Sequence, residues 1–255
     1  MRCYGLIGFP LSHSFSQIFF SEKFATEGLS ECRYDLFPLR EINELPSLLE
    51  NNPGLKGLNV TIPYKQAVMP YLSGTDETAS AAGAVNTIRI ENEPEGRKIL
   101  YGYNTDVHGF DISLSAVLLP HHRRALVLGT GGASKAACFI LRKKGIPYTL
   151  VSRNPAPGMI TYAEVEKEIM SSHLLVVNTT PLGMYPAVES YPALPYEYIT
   201  PKHLMFDLVY NPQETLFLAK GKEMGAQVQN GMQMLKAQAE KAWEIWNAPA
   251  NNLPK

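Results

Sequence analysis

The chain has 255 residues, 45% of them hydrophobic, which is enough apolar material for one large domain or two modest ones. Its 23 Lys and Arg residues nearly balance 24 Asp and Glu residues, so the formal net charge is -1. That balance excludes the basic stripe of a nucleic-acid-binding protein and the polybasic patch of a membrane-surface protein. We expect small-molecule partners, with no nucleic acid and no membrane among them.

Cysteine usage and the apolar runs indicate the cellular compartment. Cys3, Cys32 and Cys138 are odd in number and lack Cys-x-x-Cys spacing, which argues against a disulfide framework and against a metal site. The apolar run in residues 1–10 is too short for a signal peptide, and no later run reaches ~18 apolar residues. We expect a cytoplasmic protein without a bound metal.

Short apolar runs alternate with helical patterns in the first part of the chain. The predicted strands are residues 3–9, 32–39, 55–62, 84–90 and 98–101, and the predicted helices are residues 16–27, 42–50 and 76–82. A polar segment with turn residues, 91–96, joins the last two strands as a hairpin. This alternation predicts an α/β domain with a mixed, mostly parallel sheet over residues 1–105.

A second α/β series follows. A helical pattern runs from residue 106 to about 119, Pro120 ends it, and an apolar strand follows at 124–129. Further strands are predicted at 148–151, 174–177, 204–208 and 226–229, with helices at 135–143 and 162–170. We therefore place a second domain at residues 106–230. The amphipathic helix 232–246 predicts that residues 231–255 return to the first domain, with 249–255 fraying.

A glycine-rich turn lies between the strand at 124–129 and the helix at 135–143. Its sequence is Gly129-Thr-Gly-Gly-Ala-Ser134. Glycines let the backbone turn sharply and approach a pyrophosphate, and the helix N-terminus offers free N–H groups. The predicted cofactor contacts here are Gly129, Gly131, Gly132, Ala133 and Ser134. Ser134 departs from the usual Gly or Ala of a dinucleotide fingerprint, and a tight connection without a ligand is the alternative.

The end of the next strand indicates which dinucleotide binds. Ser152 and Arg153 stand where an NAD enzyme places an acidic residue on the ribose 2′-hydroxyl. A carboxylate would repel a 2′-phosphate, whereas a guanidinium pairs with it. NADP is therefore favoured over NAD, and a solvated surface arginine is the alternative interpretation.

Lys65 and Asp106 are candidates for acid-base chemistry. Lys65 ends the stretch Asn59-Val-Thr-Ile-Pro-Tyr-Lys65, and Asp106 ends Asn104-Thr-Asp106. Reduction of a ketone needs a group that protonates the nascent alkoxide, and a lysine beside a carboxylate can do this. A surface lysine and a helix N-cap aspartate are the alternatives. With the glycine-rich turn, the pair indicates a nicotinamide-dependent dehydrogenase.

The chain resembles the shikimate dehydrogenase family over nearly its whole length. The matching motifs are, in chain order, Gly8-Phe-Pro-Leu-Ser-His-Ser-Phe-Ser16, Asn59-Val-Thr-Ile-Pro-Tyr-Lys65, Gly83-Ala-Val-Asn-Thr87, Gly102-Tyr-Asn-Thr-Asp106, Gly129-Thr-Gly-Gly-Ala-Ser134, Asn178-Thr-Thr-Pro-Leu-Gly-Met184, Asp207-Leu-Val-Tyr-Asn-Pro212 and Gly231-Met-Gln-Met-Leu-Lys-Ala-Gln238. The resemblance implies reversible reduction of 3-dehydroshikimate to shikimate with NADPH, in chorismate and aromatic amino acid biosynthesis. It also implies a substrate domain and a Rossmann-type NADP domain with the active site in the cleft between them.

The resemblance assigns roles to individual residues. Lys65 and Asp106 match the catalytic pair. The residues that match substrate ligands are Ser14, Ser16, Asn59, Thr61, Asn86, Tyr210 and Gln238. The cofactor contacts implied beyond the glycine-rich turn are Ser152, Arg153, Asn178, Thr179, Gly183, Met184 and Gly231, with Gly183 and Met184 in the loop against the nicotinamide. We interpret His13 as structural, since the family's acid-base work falls on the lysine.

The chain departs from the family pattern at two places. Gln17 replaces the usual Pro after the second serine, which loosens the helix start without removing a ligand. The Asn-Arg-Thr cofactor motif is Ser152-Arg-Asn154 here, its usual second arginine has no match, and the helix that follows is shortened.

Two rival functions remain open at this point. One is an NAD-dependent quinate or quinate/shikimate dehydrogenase, against which the absence of an acidic residue at position 152 argues. The other is a non-catalytic NADP-binding regulator, against which the intact Lys65 and Asp106 argue. The sequence does not decide between a monomer and a homodimer.

Overall fold

A computed structural model describes residues 1–11, 14–93, 96–249 and 253–254 of the protein. The prediction for His13 and part of the predicted fraying tail lie outside the described residues. The chain forms two compact units, unit 1 comprising Met1–Thr105 and Ala239–Lys255, and unit 2 comprising Asp106–Gln238. The sequence placed the return of the chain at residue 231, whereas unit 1 resumes at Ala239, inside the last helix.

Unit 1 contains a six-stranded sheet in the order β2-β1-β3-β5-β6-β4. Its strands are β1 (Arg2–Gly8), β2 (Cys32–Pro38), β3 (Leu55–Val60), β4 (Gly74–Thr75), β5 (Thr87–Asn92) and β6 (Lys98–Tyr103). Its helices are α1 (Phe15–Thr26), α2 (Leu45–Asn51), α3 (Tyr64–Ala67) and α4 (Glu77–Ala82). β1 pairs in parallel with β2 and β3, and β6 pairs in parallel with β4, while β5 runs antiparallel to β3 and β6. The sheet is therefore mixed, as predicted.

The sheet of unit 1 buries side chains on both faces. Along β1, Cys3 and Ile7 join an aliphatic core on one face, whereas Tyr4 and Leu6 join an aromatic core on the other, as strand alternation requires. We call the six rings on the second face the aromatic cluster; they belong to Tyr4, Phe20, Phe24, Tyr34, Trp243 and Trp246. This cluster joins β1 and β2 to α1 and to the C-terminal helix.

Unit 2 contains a six-stranded, all-parallel sheet in the order β12-β11-β10-β7-β8-β9. Its strands are β7 (Ala125–Leu128), β8 (Tyr148–Val151), β9 (Met159–Ile160), β10 (Leu175–Asn178), β11 (Leu204–Asp207) and β12 (Gln227–Gln229). The helices that begin in or enter this part of the chain are α5 (Thr105–Ser115), α6 (Gly132–Lys143), α7 (Lys167–Ser172), α8 (Leu216–Glu223) and α9 (Met232–Asn247). Every residue of β7, β10 and β11 is buried, as in parallel sheets covered on both faces.

The strand order of unit 2 is that of a doubly wound dinucleotide-binding fold. The order reverses between β7 and β10, which are neighbours although they are not consecutive in the chain. In such sheets a ligand binds beyond the carboxyl ends of the strands at this reversal. The predicted Rossmann-type domain is present, and the glycine-rich turn after β7 lies at the expected edge.

Several sequence predictions of helices are corrected by the structure. α5 begins at Thr105, so the prediction of Asp106 as its N-cap was wrong, and α5 ends at Ser115 rather than near residue 119. In place of the predicted helix 162–170, a short 3₁₀ turn at Tyr162–Glu164 precedes α7. α8 was missed because Gly221 weakens its helical pattern; a Cβ there would lie 2.6 Å from the Met205 Cγ atom.

No helix within the described part of the chain combines the length and the apolar character needed to cross a membrane. The three cysteines are free thiols, two of them buried.

Three buried histidines of unit 2, His122, His173 and His203, lie in surroundings that disfavour the protonated ring. The Nδ1 atom of His122 accepts a hydrogen bond from the Leu119 N–H (3.0 Å), and that of His203 accepts one from the Thr200 N–H (3.0 Å). A ring nitrogen that faces an N–H donor has no room for a proton of its own. Burial lowers the pKa of His122, His173 and His203 below the usual 6.5.

We expect the free energy of unfolding to fall as the pH is lowered from about 7.5 to 5.5. Below pH 6.5 the unfolded chain binds protons that the folded chain excludes from these histidines, at about 1.4 kcal/mol per pH unit for each proton. Asp207 acts in the opposite sense. Burial raises its pKa to about 6, so the folded chain retains a proton that the unfolded chain releases, which offsets part of the loss below pH 6.

Urea unfolding followed by circular dichroism over this pH range measures the effect. His122→Gln keeps an acceptor and a donor but cannot titrate, so its stability should depend less steeply on pH than that of the parent. A parental unfolding free energy that does not change between pH 7.5 and 5.5 would contradict the prediction.

Candidate active site

Asn59 and Thr87 form a buried polar network in unit 1. Asn59, in β3, accepts a hydrogen bond from the Tyr34 hydroxyl at its Oδ1 atom (2.8 Å). The Asn59 Nδ2 atom donates to the Thr87 Oγ1 atom (3.3 Å). All three side chains are buried. Since buried amides need partners on both ends, these contacts hold the Asn59 amide in one orientation.

Asn86 joins the same network at the start of β5. Its Oδ1 atom accepts from the Thr105 backbone N–H (2.7 Å), and its Nδ2 atom donates to the Thr105 Oγ1 atom (3.0 Å). The hydroxyls of Thr87 and Thr105 are also 3.1 Å apart. Two of the predicted substrate ligands, Asn59 and Asn86, are therefore brought together through Thr87.

The serines of the first motif occupy the start of α1. Ser14 is the N-cap residue, with extended backbone (φ -119°, ψ 118°), and its hydroxyl makes no capping hydrogen bond. Ser16 lies in the first turn of the helix and hydrogen-bonds the Tyr34 oxygen, which opposes the increase that burial causes in the Tyr34 pKa. Through Tyr34, Ser16 reaches the network of Asn59. Ser14 therefore occupies the N-cap position without capping the helix.

Lys65 and Thr61 follow β3. The Thr61 N–H donates to the Ile7 carbonyl (2.9 Å), and Lys65 lies in the short helix α3. The Lys65 carbonyl accepts from the Val85 N–H (2.7 Å), which places the lysine backbone beside the residue that precedes Asn86. Lys65 is partly exposed. In unit 1 the structure therefore places Lys65, Asn59, Thr61 and Asn86 around the end of β3 and the start of β5.

The glycine-rich turn of unit 2 has the geometry of a phosphate cradle. Gly129 has φ +104°, which side chains rarely tolerate, and a Cβ there would lie 2.9 Å from the Thr179 Oγ1 atom. Gly131 is the N-cap of α6, and a Cβ there would meet open space. Thr179 follows β10 and donates to the Leu128 carbonyl (2.6 Å). Gly129 and Thr179 thus flank the strand reversal between β7 and β10.

The first turn of α6 contains the rest of the predicted cradle. The predicted start at residue 135 was late, because Gly132, Ala133 and Ser134 are already helical. Ser134 is buried, and its hydroxyl lies 4.0 Å from the Cys138 Sγ atom one turn later. The twelve-residue helix presents free N–H groups and its positive end at the turn, which suits a pyrophosphate.

Ser152 and Arg153 lie in the loop between β8 and β9. The Ser152 Oγ atom accepts from the Asn154 N–H (3.2 Å), so this hydroxyl stabilises a local turn. Arg153 is exposed, and its charge lowers the pKa of Tyr162, against the larger effect of burial. The loop continues directly into β9 with no intervening helix, which is the shortening that the sequence indicated. An exposed guanidinium without an acidic neighbour in sequence fits a 2′-phosphate.

A buried carboxylate, Asp207, connects the loops that follow β10 and β11. Its Oδ1 atom accepts from the Asn178 Nδ2 atom (2.9 Å) and from the Val209 N–H (3.0 Å). Its Oδ2 atom accepts from the Thr215 hydroxyl (2.6 Å). Burial raises the Asp207 pKa to about 6, and these three hydrogen bonds oppose that increase. We call Asp207, its partners Asn178 and Thr215, and Thr180, which donates to Asn178, the Asp207 cluster.

The predicted loop residues Gly183 and Met184 lie next to the Asp207 cluster. Gly183 has φ +89°, and a Cβ there would lie 3.1 Å from the Thr215 Cβ atom. Its N–H donates to the Ser190 hydroxyl (2.9 Å). Met184 is 39% exposed, which leaves its thioether available to a ligand.

The remaining predicted residues also lie in unit 2. Asp106 is buried in the first turn of α5, and Gln238 is buried in α9. Tyr210 is half-buried, and burial raises the pKa of its hydroxyl. A Cβ at Gly231 would overlap the Leu208 carbonyl oxygen. The close approach of these two backbone segments therefore requires glycine at position 231, whether or not a cofactor binds there.

Sequence reasoning missed the residues that support these side chains. They are Tyr34, Thr87, Thr105, Asp207 and Thr215. Asp207 begins one of the quoted motifs and could have been singled out there as a carboxylate that ends a buried strand. Tyr34 carries no local signal, because its partner Asn59 lies 25 residues away in β3.

Comparison with known proteins identifies the family. A family model described as the shikimate dehydrogenase substrate binding domain matches residues 6–88. A shikimate dehydrogenase (NADP(+)) from Clostridium beijerinckii is 41% identical over 259 residues, covering 96% of this chain and 92% of the relative. The crystal structure of shikimate dehydrogenase from Aquifex aeolicus is 35% identical with a TM-score of 0.84, covering 98% of this chain and 93% of that chain. Shikimate 5-dehydrogenase from Thermus thermophilus, in complex with NADP(H) and shikimate, is 32% identical with a TM-score of 0.83, covering 100% of this chain and 95% of that chain. The chain belongs to the shikimate dehydrogenase family.

Proposed function

We propose that this protein is an NADP-dependent shikimate dehydrogenase that reversibly reduces 3-dehydroshikimate to shikimate in chorismate and aromatic amino acid biosynthesis. The observation that carries the proposal is the near full-length similarity to an NADP(+)-dependent shikimate dehydrogenase, with Lys65 and Asp106 both present. In this proposal unit 1, residues 1–105 completed by residues 239–255, binds substrate, and unit 2, residues 106–238, binds NADP.

The cofactor is held by unit 2 in this proposal. Gly129, Gly131 and the first turn of α6 receive the pyrophosphate, because they combine open backbone with free N–H groups. Arg153 pairs with the 2′-phosphate. Gly183 and Met184 lie against the nicotinamide, and Thr179 is a further cofactor contact. When bound, NADPH supplies a hydride to the substrate carbonyl carbon.

The chain's own side chains bind the substrate and move the proton. Ser14 and Ser16 donate hydroxyl hydrogen bonds to the substrate carboxylate, and Asn59, Thr61, Asn86, Tyr210 and Gln238 hold the ring hydroxyls. Lys65 gives a proton from its Nζ atom to the oxygen that becomes the new hydroxyl. Asp106 orients the Lys65 ammonium and helps to restore its proton. The buried amides of Asn59 and Asn86 are oriented before substrate arrives, which lowers the entropy cost of binding.

One spectrophotometric assay of the purified protein tests the proposal and its rivals. Shikimate and quinate are each offered with NADP or NAD, and NADPH or NADH formation is followed. We expect turnover to be most efficient with shikimate and NADP. A preference for quinate and NAD would replace the proposal with the quinate dehydrogenase hypothesis, and NADP binding without turnover would favour a regulator.

We also propose that the protein acts in the cytoplasm as a monomer or a homodimer. Balanced charge and free thiols support the compartment. Sedimentation equilibrium decides between the two oligomeric states.

Replacing Arg153 with alanine should weaken NADP binding by about ten- to a hundredfold and leave NAD binding nearly unchanged. The reason is that one charge-assisted contact to the 2′-phosphate is lost, and NAD has no such group. Calorimetric titration of both dinucleotides measures the effect. Arg123→Ala, at another exposed arginine of unit 2, is the matched control. Equal affinity of Arg153→Ala and the parent for NADP would show that another cation binds the phosphate.

A further inference from the structure

Asp207 lies deep in unit 2 at the end of β11, where it pairs in register with Asn178 at the end of β10. Its carboxylate accepts three hydrogen bonds from three segments, which are the end of β10, the segment after β11 and the start of α8. These three hydrogen bonds favour the ionised carboxylate and offset part of the cost of burying its charge. The Asp207 carboxylate therefore holds a donor from each of these three segments.

The orientation of Asn178 depends on this carboxylate. With its Nδ2 atom donating to Asp207, the Asn178 Oδ1 atom is turned toward Thr180, where it accepts from the backbone N–H (3.0 Å) and from the hydroxyl (2.6 Å). The Thr180 hydroxyl in turn accepts from the Leu182 N–H (3.3 Å). A chain of hydrogen bonds thus runs from Asp207 to the residue before Gly183.

Thr215 makes a second connection from Asp207 to the same loop. Its hydroxyl donates to Asp207 and accepts from the Leu218 N–H (3.4 Å), so it caps α8 while holding its own side chain in one rotamer. In that rotamer the Thr215 Cβ and Cγ2 atoms form the wall against which Gly183 packs, 3.1 and 3.2 Å from where its Cβ would lie. The loop is supported from both sides by groups bonded to one carboxylate.

We propose that Asp207 is a positioning residue that holds the Gly183–Met184 loop in the conformation that receives the cofactor. The inference rests on the proposed function, since it was the family resemblance that assigned this loop to the nicotinamide side. Asp207 itself touches neither substrate nor cofactor in this proposal. It acts through Asn178, Thr180 and Thr215, because each of these side chains contacts the loop or the turn that precedes it.

Asp207→Asn tests the charge with almost no change in volume. The amide keeps one acceptor oxygen but turns an N–H toward Thr215, so the Thr215 hydroxyl can no longer donate to residue 207, and the hydrogen bond that fixes its rotamer is lost or reversed. Thr215→Val removes the same hydrogen bond from the other side, whereas Thr215→Ser retains the hydroxyl. Asp111→Asn is the matched control, because Asp111 is a unit 2 aspartate whose partners Lys144 and Ser115 belong to none of the three segments.

Two measurements separate a role of Asp207 in positioning the loop from a role in the stability of the whole protein. They are amide hydrogen exchange without cofactor and the binding of NADP alone. We expect amide hydrogen exchange at Thr180 and Gly183 to be at least about tenfold faster in Asp207→Asn and Thr215→Val, and parental in Thr215→Ser and Asp111→Asn. We expect the NADP dissociation constant of the first two variants to rise about tenfold, measured by calorimetry well below the melting temperature. Thr215→Val keeps the proposal testable if Asp207→Asn does not fold.

Turnover gives an independent measure of loop position. A misplaced nicotinamide slows hydride transfer, so the primary deuterium isotope effect on kcat should rise in Asp207→Asn when 4-deuterated NADPH is used. The proposal would be overturned if the variants had lower melting temperatures but the same amide exchange and NADP affinity as the parent. It would also be overturned if they bound NADP more weakly but exchanged at the parental rate, because Asp207 would then contact the cofactor directly. If the parent turns over neither shikimate nor quinate, the proposed function fails, while the exchange data still decide whether Asp207 holds the loop.

Discussion

Lys65→Met should lower kcat about 10²- to 10⁴-fold, the usual range for a positioned acid-base group, with a much smaller change in the KM for shikimate. Methionine keeps most of the volume of the lysine stem, so a large loss would reflect the missing amine rather than packing. Steady-state assays with shikimate and NADP measure both quantities.

Lys56→Met is the matched control, because Lys56 lies in the same unit with a comparable, intermediate exposure. Its turnover should be parental. Asp106→Asn should be impaired as well, and the double variant should be little worse than the worse single variant if the two residues act as a unit. Near-parental turnover of Lys65→Met would exclude the lysine as the proton donor, and fully additive losses would show that Lys65 and Asp106 act separately.

Trp246→Ala should destabilise the protein by about 3 to 5 kcal/mol, as expected for a buried aromatic residue. The indole is 6% exposed, stacks on Tyr4 with ring centroids 4.9 Å apart, and donates from its Nε1 atom to the Ile88 carbonyl (2.9 Å). Loss of the indole leaves both a cavity in the aromatic cluster and a carbonyl without its partner. Denaturant unfolding followed by circular dichroism measures the loss.

Gly57→Ala should also be strongly destabilising, because a Cβ on Gly57 would overlap the Trp246 indole. The two losses should not add. In a Trp246→Ala background the alanine at position 57 has room, so its cost should fall to a small fraction of its cost in the parent. Trp243→Ala is the matched control, since Trp243 lies on the same helix in the same cluster but is not among the atoms nearest to Gly57. A cost of Gly57→Ala that is unchanged by removal of Trp246 would show that the strain arises elsewhere.

Local patterns in the sequence were sufficient for the longer strands and for the glycine-rich turn, whereas the two-residue strands β4 and β9 were missed. β8 begins and ends where its apolar run predicts, and the turn after β7 was identified from the spacing of its glycines alone. Such features depend on residues that are close in the chain, because alternation and positive-φ turns are properties of a few consecutive residues. The same reasoning placed Ser152 and Arg153 at the end of a strand.

The tertiary structure decided how the site residues are supported. The Asn59 amide is oriented by Tyr34 on another strand, the three donors of Asp207 come from separate segments, and Gly57 is required by an indole from the C-terminal helix. These contacts join residues that are distant in sequence, so no local period reports them. Long-range packing also decides where α8 forms. Its internal Gly221 weakens the local helical pattern, and packing of that glycine against Met205 in β11 stabilises the helix. The sequence by itself thus determined which groups the protein carries for its chemistry, while long-range packing and hydrogen bonding determined their orientation.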